Sequence, residues 1–155
     1  MTQKELMKSA IDCAIENIDQ GGGPFGAVIV KDGEIIARSG NSVTKTNDPT
    51  AHAEVNAIRL ATQKLGTFDL SGCEIYSSCE PCPMCLGAIY WARLDKLYFA
   101  GTKTDAMDAG FDDSFIYDEL KLDYTQRNLH TEHIMRDEAL EAFNKWKTFD
   151  DRIEY

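Results

Sequence analysis

The chain has 155 residues, of which 43% are hydrophobic and 27% are charged, a balance typical of a globular protein. Acidic residues outnumber basic ones by 26 to 16, which gives a formal net charge of −10. A protein that grips nucleic acid needs a basic stripe to neutralise phosphates, and no cluster of Lys or Arg serves here. We therefore expect a small, uncharged substrate and no nucleic-acid partner.

Compartment and domain organisation follow from the same features. No stretch reaches the length of a membrane span, and the first residues do not form a signal peptide, so we expect no membrane partner. Five cysteines, an odd number, are typical of cytoplasmic thiols. We predict a single domain over residues 1–155, with residues 134–155 as a C-terminal helical tail.

The first third of the chain predicts a helix followed by a hairpin. Thr2 and Glu5 form a capping box, and Gly21 to Gly23 end the helix. Strands 27–30 and 34–37 then flank Asp32-Gly33, a strong two-residue hairpin signal. The apolar residues at helical spacing are Met7, Ile11, Ile15 and Ile18.

The middle of the chain predicts helix, strand, helix and strand in that order. The helix that follows the hairpin has Asp48 or Thr50 as its N-cap and ends at Gly66. A strand over 74–77, a helix from Cys82 to about Arg93 and a strand over 96–100 follow. Two strands joined by a helix imply parallel pairing with a right-handed crossover. Ligands of α/β sheets bind at the carboxyl ends of such strands.

A His-Cys-Cys set of candidate metal ligands lies at these predicted helix starts. Cys82 and Cys85 are spaced to lie on one face of a first helical turn, and His52 supplies a third ligand. Three protein ligands leave tetrahedral zinc one open position, which is typical of catalytic sites. Glu54, on another side of its helix, is a poor fourth ligand and a suitable proton carrier.

Other assignments of the metal ligands are weaker. Cys79 and Cys82 have the same spacing, but Pro81 disfavours helix before it and leaves Cys79 on the strand side. His130 and His133 form an H-x-x-H with no cysteine nearby, so a solvated pair is expected. A structural zinc usually has four protein ligands, and a thioredoxin-like Cys-x-x-Cys site does not need His-x-Glu.

Several other residues are ambiguous from their spacing alone. Phe25, which precedes the first strand, is either a packing residue or a ring that stacks on a planar substrate, and spacing favours packing. Asn41, after the second strand, is a turn residue by itself. Residues 105–119 are rich in acids and aromatics but lack the EF-hand spacing, so calcium is not expected. The tail regains helical periodicity through Met135, Ala139, Phe143 and Trp146.

With these residues in view, the sequence resembles the cytidine deaminase-like superfamily of zinc nucleobase deaminases, which carry H-x-E and P-C-x-x-C. Within it, the sequence is most similar to the small bacterial guanine deaminases. The matching stretches are 23–33, 47–54, 77–93 and 109–117. The first three are shared, in looser form, with tRNA adenosine deaminases and fungal-type cytosine deaminases. The fourth, together with Tyr155, points to guanine, whereas residues 119–150 match the family poorly.

The resemblance implies a three-layer α/β/α sandwich around a mixed five-stranded sheet, with one zinc ion per chain. It also implies a homodimer that exchanges its C-terminal segments, so that Tyr155 covers the partner's pocket. The implied reaction is hydrolysis of guanine, a purine base, to xanthine and ammonia, with Glu54 transferring the protons. The implied substrate-binding groups are Phe25, Asn41, the Ala53 main chain, Trp91 and Asp113, the last of which also assists proton transfer.

Two further functions remain compatible with the sequence. The same chemistry could act on another aminated ring: cytosine, a nucleoside, a triazine or adenosine in tRNA. The net charge of −10 argues against tRNA, and the match at Phe111 to Asp113 argues against cytosine. A catalytically silent zinc protein that acts through its dimer surface is the second alternative, and the intact Glu54 argues against it.

Overall fold

The computed structural model describes residues 1–155 and contains one mixed sheet flanked by helices. No helix is long and apolar enough to span a bilayer. The elements are α1 (Gln3–Asp19), β1 (Gly26–Lys31), β2 (Glu34–Gly40), α2 (Val43–Thr46), α3 (Ala53–Leu65), β3 (Cys73–Cys79), α4 (Pro83–Trp91), β4 (Lys96–Gly101), α5 (Lys103–Asp108), α6 (Ser114–Leu120), a 3₁₀ turn (Tyr124–Gln126) and α7 (Arg136–Thr148).

The strand directions bring four chain segments to one edge of the sheet. The order is β2-β1-β3-β4; β1 is antiparallel to β2 and β3, and β3 is parallel to β4. Strands β2, β3 and β4 therefore end at the same edge, where β1 begins. The predicted parallel pairing of the last two strands is confirmed.

The predicted hairpin between β1 and β2 is also confirmed. Asp32 and Gly33 have φ angles of 51° and 80°, as a tight two-residue hairpin turn requires. The register shifts between Ile29 and Val30, because β2 carries one extra residue opposite that step.

The sheet separates two hydrophobic clusters, which makes the architecture three layers. On one face, Leu6 and Ala10 of α1 pack against Val28, Val30 and Tyr76. On the other face, α3 and α4 pack against alternate residues of the same strands. The buried residues of that second face include Ala27, Ile29, Ala53, Ala57, Ala61, Ile75 and Ile89.

The prediction of a fifth strand is wrong, because the sheet has four. Immediately after β4, Thr102 and Asp105 form a capping box that starts α5. Residues 121–135 form only the 3₁₀ turn and irregular backbone. The chain after β4 therefore adds no strand to the sheet.

Helix α1 begins at the predicted capping box, but its buried face differs from the periodicity noted in the sequence. Ile11, Ile15 and Ile18 are 36%, 58% and 53% exposed. The buried residues are Leu6, Ala10, Cys13, Ala14 and Asn17. Small residues face the sheet because the backbone of α1 lies close to β1.

The predicted N-cap of α3 is wrong, and the predicted start of α4 is one residue early. Asp48 accepts hydrogen bonds from the Thr50 backbone and hydroxyl, so it forms a local turn and does not cap α3. The N-cap of α3 is His52. Helix α4 begins at Pro83, which leaves Cys82 as its N-cap, and it ends before Arg93, whose φ is 57°.

Contacts divide the chain into two compact units, residues 1–114 and 115–155. The first contains the sheet with α1 to α5. In the second, α7 follows Met135 and carries the predicted apolar stripe. No residue of α7 is buried, and Phe143 and Trp146 are 62% and 40% exposed.

The close contact between α1 and β1 predicts the effect of Gly26→Ala. An added Cβ would lie 2.6 Å from the Ala14 nitrogen and closer still to the Ala10 carbonyl oxygen. Because both are helix backbone, we expect unfolding free energy to fall by about 2 kcal/mol or more. Gly101→Ala is the control, since its nearest atom lies at 3.4 Å. Urea unfolding measures both variants, and equal losses would contradict the packing argument.

Candidate active site

The three predicted metal ligands converge where α3 and α4 begin, at the edge of the sheet where β2 and β3 end. His52 and Cys82 are the N-cap residues of these two helices, and both have extended backbone. Cys85 is buried in the first turn of α4. Each helix therefore points its unpaired backbone N–H groups and positive dipole end towards the site.

The donor atoms have the separations that tetrahedral zinc requires. His52 Nδ1 lies 3.5 Å from the Cys82 sulfur and 3.5 Å from the Cys85 sulfur. Zn–S bonds of about 2.3 Å and Zn–N bonds of about 2.0–2.1 Å at a tetrahedral angle separate nitrogen from sulfur by about 3.5–3.6 Å. One nitrogen and two thiolates are a donor set that suits zinc.

No other group of residues in the chain offers a comparable metal site. His52, Cys82 and Cys85 are the one cluster of three or more His, Cys, Asp or Glu donors within ligand distance. Cys79 ends β3, and its sulfur lies 3.6 Å from the Thr102 carbonyl oxygen. His130 is exposed and pairs with Glu132 at 2.9 Å.

Hydrogen bonds between the ligands separate the acidities of the two thiols. The bond from Cys85, with a further one from His52, lowers the pKa of Cys82. The same Cys82–Cys85 bond, together with burial, raises the pKa of Cys85. The bond to Cys82 also raises the pKa of His52. Burial raises the pKa of Cys79 to about 11, so this third thiol stays protonated at neutral pH.

Glu54 occupies the first turn of α3 with only 6% of its surface exposed. Burial raises the pKa of this carboxyl, although hydrogen bonds with Cys85 and Ser77 oppose the shift. An acid whose pKa is raised towards neutrality is suited to accept and release a proton in one reaction cycle.

Ser77 gives Glu54 a partner for either protonation state. Its Oγ lies 3.0 Å from Glu54 Oε1 and 2.7 Å from the Cys79 carbonyl oxygen. A hydroxyl has one proton, so Ser77 can donate to ionised Glu54, or accept from protonated Glu54 while it donates to Cys79. The carboxyl therefore keeps a hydrogen bond whether or not it carries a proton.

Two of the predicted substrate-binding residues lie on adjoining segments at the same edge of the sheet. The Phe25 and Phe111 rings form a T-shaped pair with a centroid distance of 5.0 Å and an interplanar angle of 85°. Asn41 is 9% exposed, and its Oδ1 accepts a hydrogen bond from the Val43 backbone. The Asn41 N–H donates to the Phe25 carbonyl oxygen at 3.2 Å.

The structure also places Ala53 and Asp113 near the metal ligands. Ala53 is fully buried and directly follows His52. The pKa of Asp113 is raised by partial burial and by the negative charge of Cys82. The negative charge of Asp113 in turn helps to raise the pKa of His52 and that of Cys79, as expected of a neighbouring carboxylate.

Trp91 and Tyr155, the other two predicted substrate-binding residues, are both exposed. Trp91 is the last residue of α4, at the end opposite the cysteines, and is 67% exposed. Tyr155 belongs to the second unit and is 71% exposed. The predicted substrate contacts of these two residues stay predictions.

Residues 1–101 match the family model described as the cytidine and deoxycytidylate deaminase zinc-binding region. The chain belongs to this family. It is a zinc-binding protein, and His52, Cys82 and Cys85 are the residues that can hold the ion. The predicted cytidine deaminase-like fold and zinc cofactor are thereby confirmed.

Members of the family with different substrates are similar to this chain. Guanine deaminase of Bacillus subtilis (strain 168) is 51% identical over 156 residues, which cover 100% of both chains. Its crystal structure matches with a TM-score of 0.98 over 100% of this chain and 99% of that chain. The tRNA-specific adenosine deaminase of Aquifex aeolicus is 44% identical over 64% of this chain and 66% of its own length.

A third relative is more distant. A structure of guanine deaminase from Nitrosomonas europaea has a TM-score of 0.70 and 35% identity, and the match covers 72% of this chain and 65% of that chain.

Sequence reasoning missed two residues that the structure brings to the site. Ser77 donates a hydrogen bond to Glu54. The sequence feature that could have indicated it is a hydroxyl at the end of the buried part of a strand. Phe111 packs against Phe25, and because more than 80 residues separate them in sequence, no local pattern could indicate the contact.

The ligand geometry predicts which cysteine substitution removes the metal. Cys85→Ser should lose zinc, because a serine hydroxyl is a poor replacement for a thiolate ligand. Cys79→Ser is the matched control and should keep about one zinc per chain, as a single three-ligand site allows. Metal analysis of both purified variants checks this. Loss of zinc from Cys79→Ser but not from Cys85→Ser would overturn the ligand assignment.

Proposed function

We propose that this protein hydrolyses guanine to xanthine and ammonia. The observation that carries the proposal is the match to the Bacillus subtilis guanine deaminase over the whole of both chains, with a TM-score of 0.98. The match to a tRNA-specific adenosine deaminase covers 64% of the chain. The similarity to the guanine deaminase thus includes the part of the chain that the match to this tRNA enzyme leaves out.

The charge of the protein supports a free base over a nucleic acid as the substrate. A formal net charge of −10 repels phosphates, and acidic residues Asp112 and Asp113 lie near the site. The five cysteines are all free, which supports a reducing, cytoplasmic location.

The chemistry is divided between the metal and the residues around it. Bound at His52, Cys82 and Cys85, zinc supplies Lewis acidity that makes a water molecule nucleophilic at neutral pH. Glu54 takes a proton from the attacking water and passes it to the ring nitrogen. It then takes the remaining proton of the added hydroxyl and passes it to the amino group, which leaves as ammonia while the new carbonyl forms. Burial of Glu54, with Ser77 as an adaptable partner, holds the carboxyl in place for both transfers.

Phe25, Phe111, Asn41 and Asp113 lie beside the metal ligands and form the surface that we call the base-binding wall. Phe25, braced by Phe111, offers a ring on which a planar purine can stack. Asn41 uses its Oδ1 internally, which leaves its Nδ2 group to donate to an acceptor on the base. Asp113 offers a carboxylate to the ring N–H and amino groups. Such paired polar contacts in a dry pocket give selectivity for guanine.

We propose further that the protein is a homodimer in which the C-terminal segments are exchanged. Helix α7 has large apolar residues on its surface, among them Phe143 and Trp146, and none of its residues is buried. Strand β4 is an edge strand with Phe99 45% exposed, so the sheet also offers an open side. Both features favour a second copy as partner, with Tyr155 over the partner's pocket and Trp91 lining it.

Ammonia release from a panel of aminated bases and nucleosides tests the proposed reaction. We expect guanine to be turned over and cytosine, cytidine and adenosine in tRNA to be poor substrates, because their ring edges do not match the same polar groups. Preference for any of these competitors would reject guanine as the substrate.

Glu54→Gln tests the role of the carboxyl. An amide cannot transfer the proton, so turnover should fall by at least about 10²-fold while zinc content is unchanged. Because burial already disfavours ionisation of Glu54, the variant should be at least as stable as the wild type at neutral pH. Thermal unfolding, metal analysis and ammonia release measure the three quantities, and near-normal turnover would remove Glu54 from the mechanism.

Mixing two inactive variants tests the exchange of the tails. One variant is Glu54→Gln; the other lacks residues 153–155 and should keep zinc and dimerisation. If each tail covers the partner's site, a mixed dimer has one site with its own Glu54 and an intact partner tail. Activity should then return on subunit exchange. Exchange that is confirmed by mass spectrometry without recovered activity would show that each tail serves its own site.

A further inference from the structure

A second layer of contacts lies behind the segments that carry Phe25 and Asn41, and Asn17 is at its centre. Four polar or charged residues of the chain are buried: Asn17, Asn41, Glu54 and Ser77. Glu54 and Ser77 contact each other beside the metal ligands, and Asn41 belongs to the base-binding wall. Asn17, only 5% exposed, comes from α1 on the other face of the sheet.

The Asn17 side-chain amide connects two segments of the wall. Its Nδ2 donates to the Gly23 carbonyl oxygen at 2.7 Å and to the Asn41 carbonyl oxygen at 2.8 Å. Its Oδ1 accepts a hydrogen bond from Lys45 at 3.2 Å. Two carbonyl acceptors on one side and an ammonium donor on the other fix the orientation of the amide.

Two glycines are fitted around this amide. A Cβ added at Gly22 would lie 2.5 Å from the Asn41 carbonyl oxygen and closer to Asn17 Nδ2. One added at Gly40 would lie 2.9 Å from the Asn17 Cβ and closer to its Cγ. The Gly22 N–H also donates to the Asn17 carbonyl oxygen at 2.9 Å. The segments that contain Gly22 and Gly40 can therefore approach the Asn17 amide this closely only because both residues lack a side chain.

The hydrogen bonds continue from Asn17 to the residues of the wall. The Gly23 carbonyl oxygen that accepts from Asn17 also accepts from the Phe25 N–H at 2.9 Å. Asn41, whose carbonyl oxygen accepts from Asn17, donates its own N–H to the Phe25 carbonyl oxygen. Asn17 therefore closes a ring of hydrogen bonds that includes the backbones of Phe25 and Asn41.

A different asparagine connects the residues on either side of Asn41 to the segment before His52. Asn56 of α3 donates to the Gly40 carbonyl oxygen at 3.1 Å, the Ser42 hydroxyl at 2.9 Å and the Ala51 carbonyl oxygen at 3.2 Å. These bonds lead to the residue before His52 and involve no atom of Asn17. Removing the Asn17 amide thus affects the base-binding wall before it affects the metal.

We propose that Asn17 is a positioning residue for recognition of the base: it fixes the distance between the Phe25 ring and the Asn41 amide. The inference rests on the proposed function, since it assigns the wall to a planar base. Asn17 does not touch the base itself. Its loss should weaken binding of the base, which depends on both groups, and leave the proton transfer by Glu54 intact.

Steady-state kinetics of Asn17→Ala with guanine test the proposal. With two hydrogen bonds to the wall removed, we expect KM to rise by about tenfold or more and kcat to change by less than about threefold. Zinc content should stay at that of the wild type. In the Glu54→Gln background, where guanine is not consumed, calorimetry should show the guanine Kd rising by the same factor.

Two control variants separate positioning from stability. Leu6 is also buried on α1, but it packs against Val28, Val30 and Tyr76 and not against the wall. Leu6→Ala should therefore lower Tm without changing KM. Lys45→Met removes only the bond to Asn17 Oδ1 and should change KM by less than twofold, because both bonds to the wall remain. If Asn17→Ala does not fold, Asn17→Ser is measured in its place.

The outcomes are distinct. An unchanged KM in the Asn17 variant, with a fall in Tm like that of Leu6→Ala, would overturn the inference and leave the proposed function intact. Failure of both Asn17 variants to fold while Leu6→Ala folds would also overturn it, since the amide would then serve the fold alone. Absence of guanine turnover in the wild type would reject the proposed function and, with it, this inference.

Discussion

The meeting of two helix N-termini at one edge of the sheet is the constraint on which the rest of the site depends. His52 and Cys82 cap α3 and α4, and both sulfurs lie 3.5 Å from the imidazole nitrogen. Two positive dipole ends and their unpaired N–H groups favour thiolates and a carboxylate there. The arrangement requires β2 and β3 to end at the same edge, and the intervening antiparallel β1 brings the Phe25 segment to that edge as well.

Within this frame, the buried Glu54 opposes stability and serves chemistry. A carboxyl with 6% of its surface exposed is costly to ionise, and the helix dipole and Ser77 offset only part of that cost. The result is an acid with a raised pKa at the position where a proton must be both accepted and released. Fully exposed, the same group would titrate as an ordinary glutamate, and its carboxylate would accept a proton from water less readily.

The chemistry of the site could be predicted from the sequence because it is encoded locally. His52, Glu54, Cys82 and Cys85 occur in two short motifs, and ligand spacing within a helical turn is a local property. The N-cap of α3 is not the predicted Asp48 or Thr50, because these two residues bond to each other in a local turn and leave His52 as the cap. The hairpin and the parallel crossover were correct because turn chemistry and chain length determine them.

The walls of the site could not be predicted in this way. Phe111 reaches Phe25, and Asn17 reaches Asn41, across long stretches of chain. The sequence did hold one signal for Asn17: it continues the series Leu6, Ala10 and Cys13, whose spacing marks the face of α1 that turned out to be buried. The larger isoleucines of α1 predict another face, because their spacing does not show the close approach to β1 that small residues allow.

The antiparallel direction of β1 has a practical consequence at the end of the sheet opposite the site. Because β1 starts at the edge that holds the site, the Asp32-Gly33 turn lies at the opposite edge, about 20 Å away for a six-residue strand. The amino terminus is also there, since the Met1 amino group donates to the Gly33 carbonyl oxygen at 3.4 Å. A fluorophore or a short peptide tag grafted at this turn would immobilise or report on the protein without entering the space where the base binds.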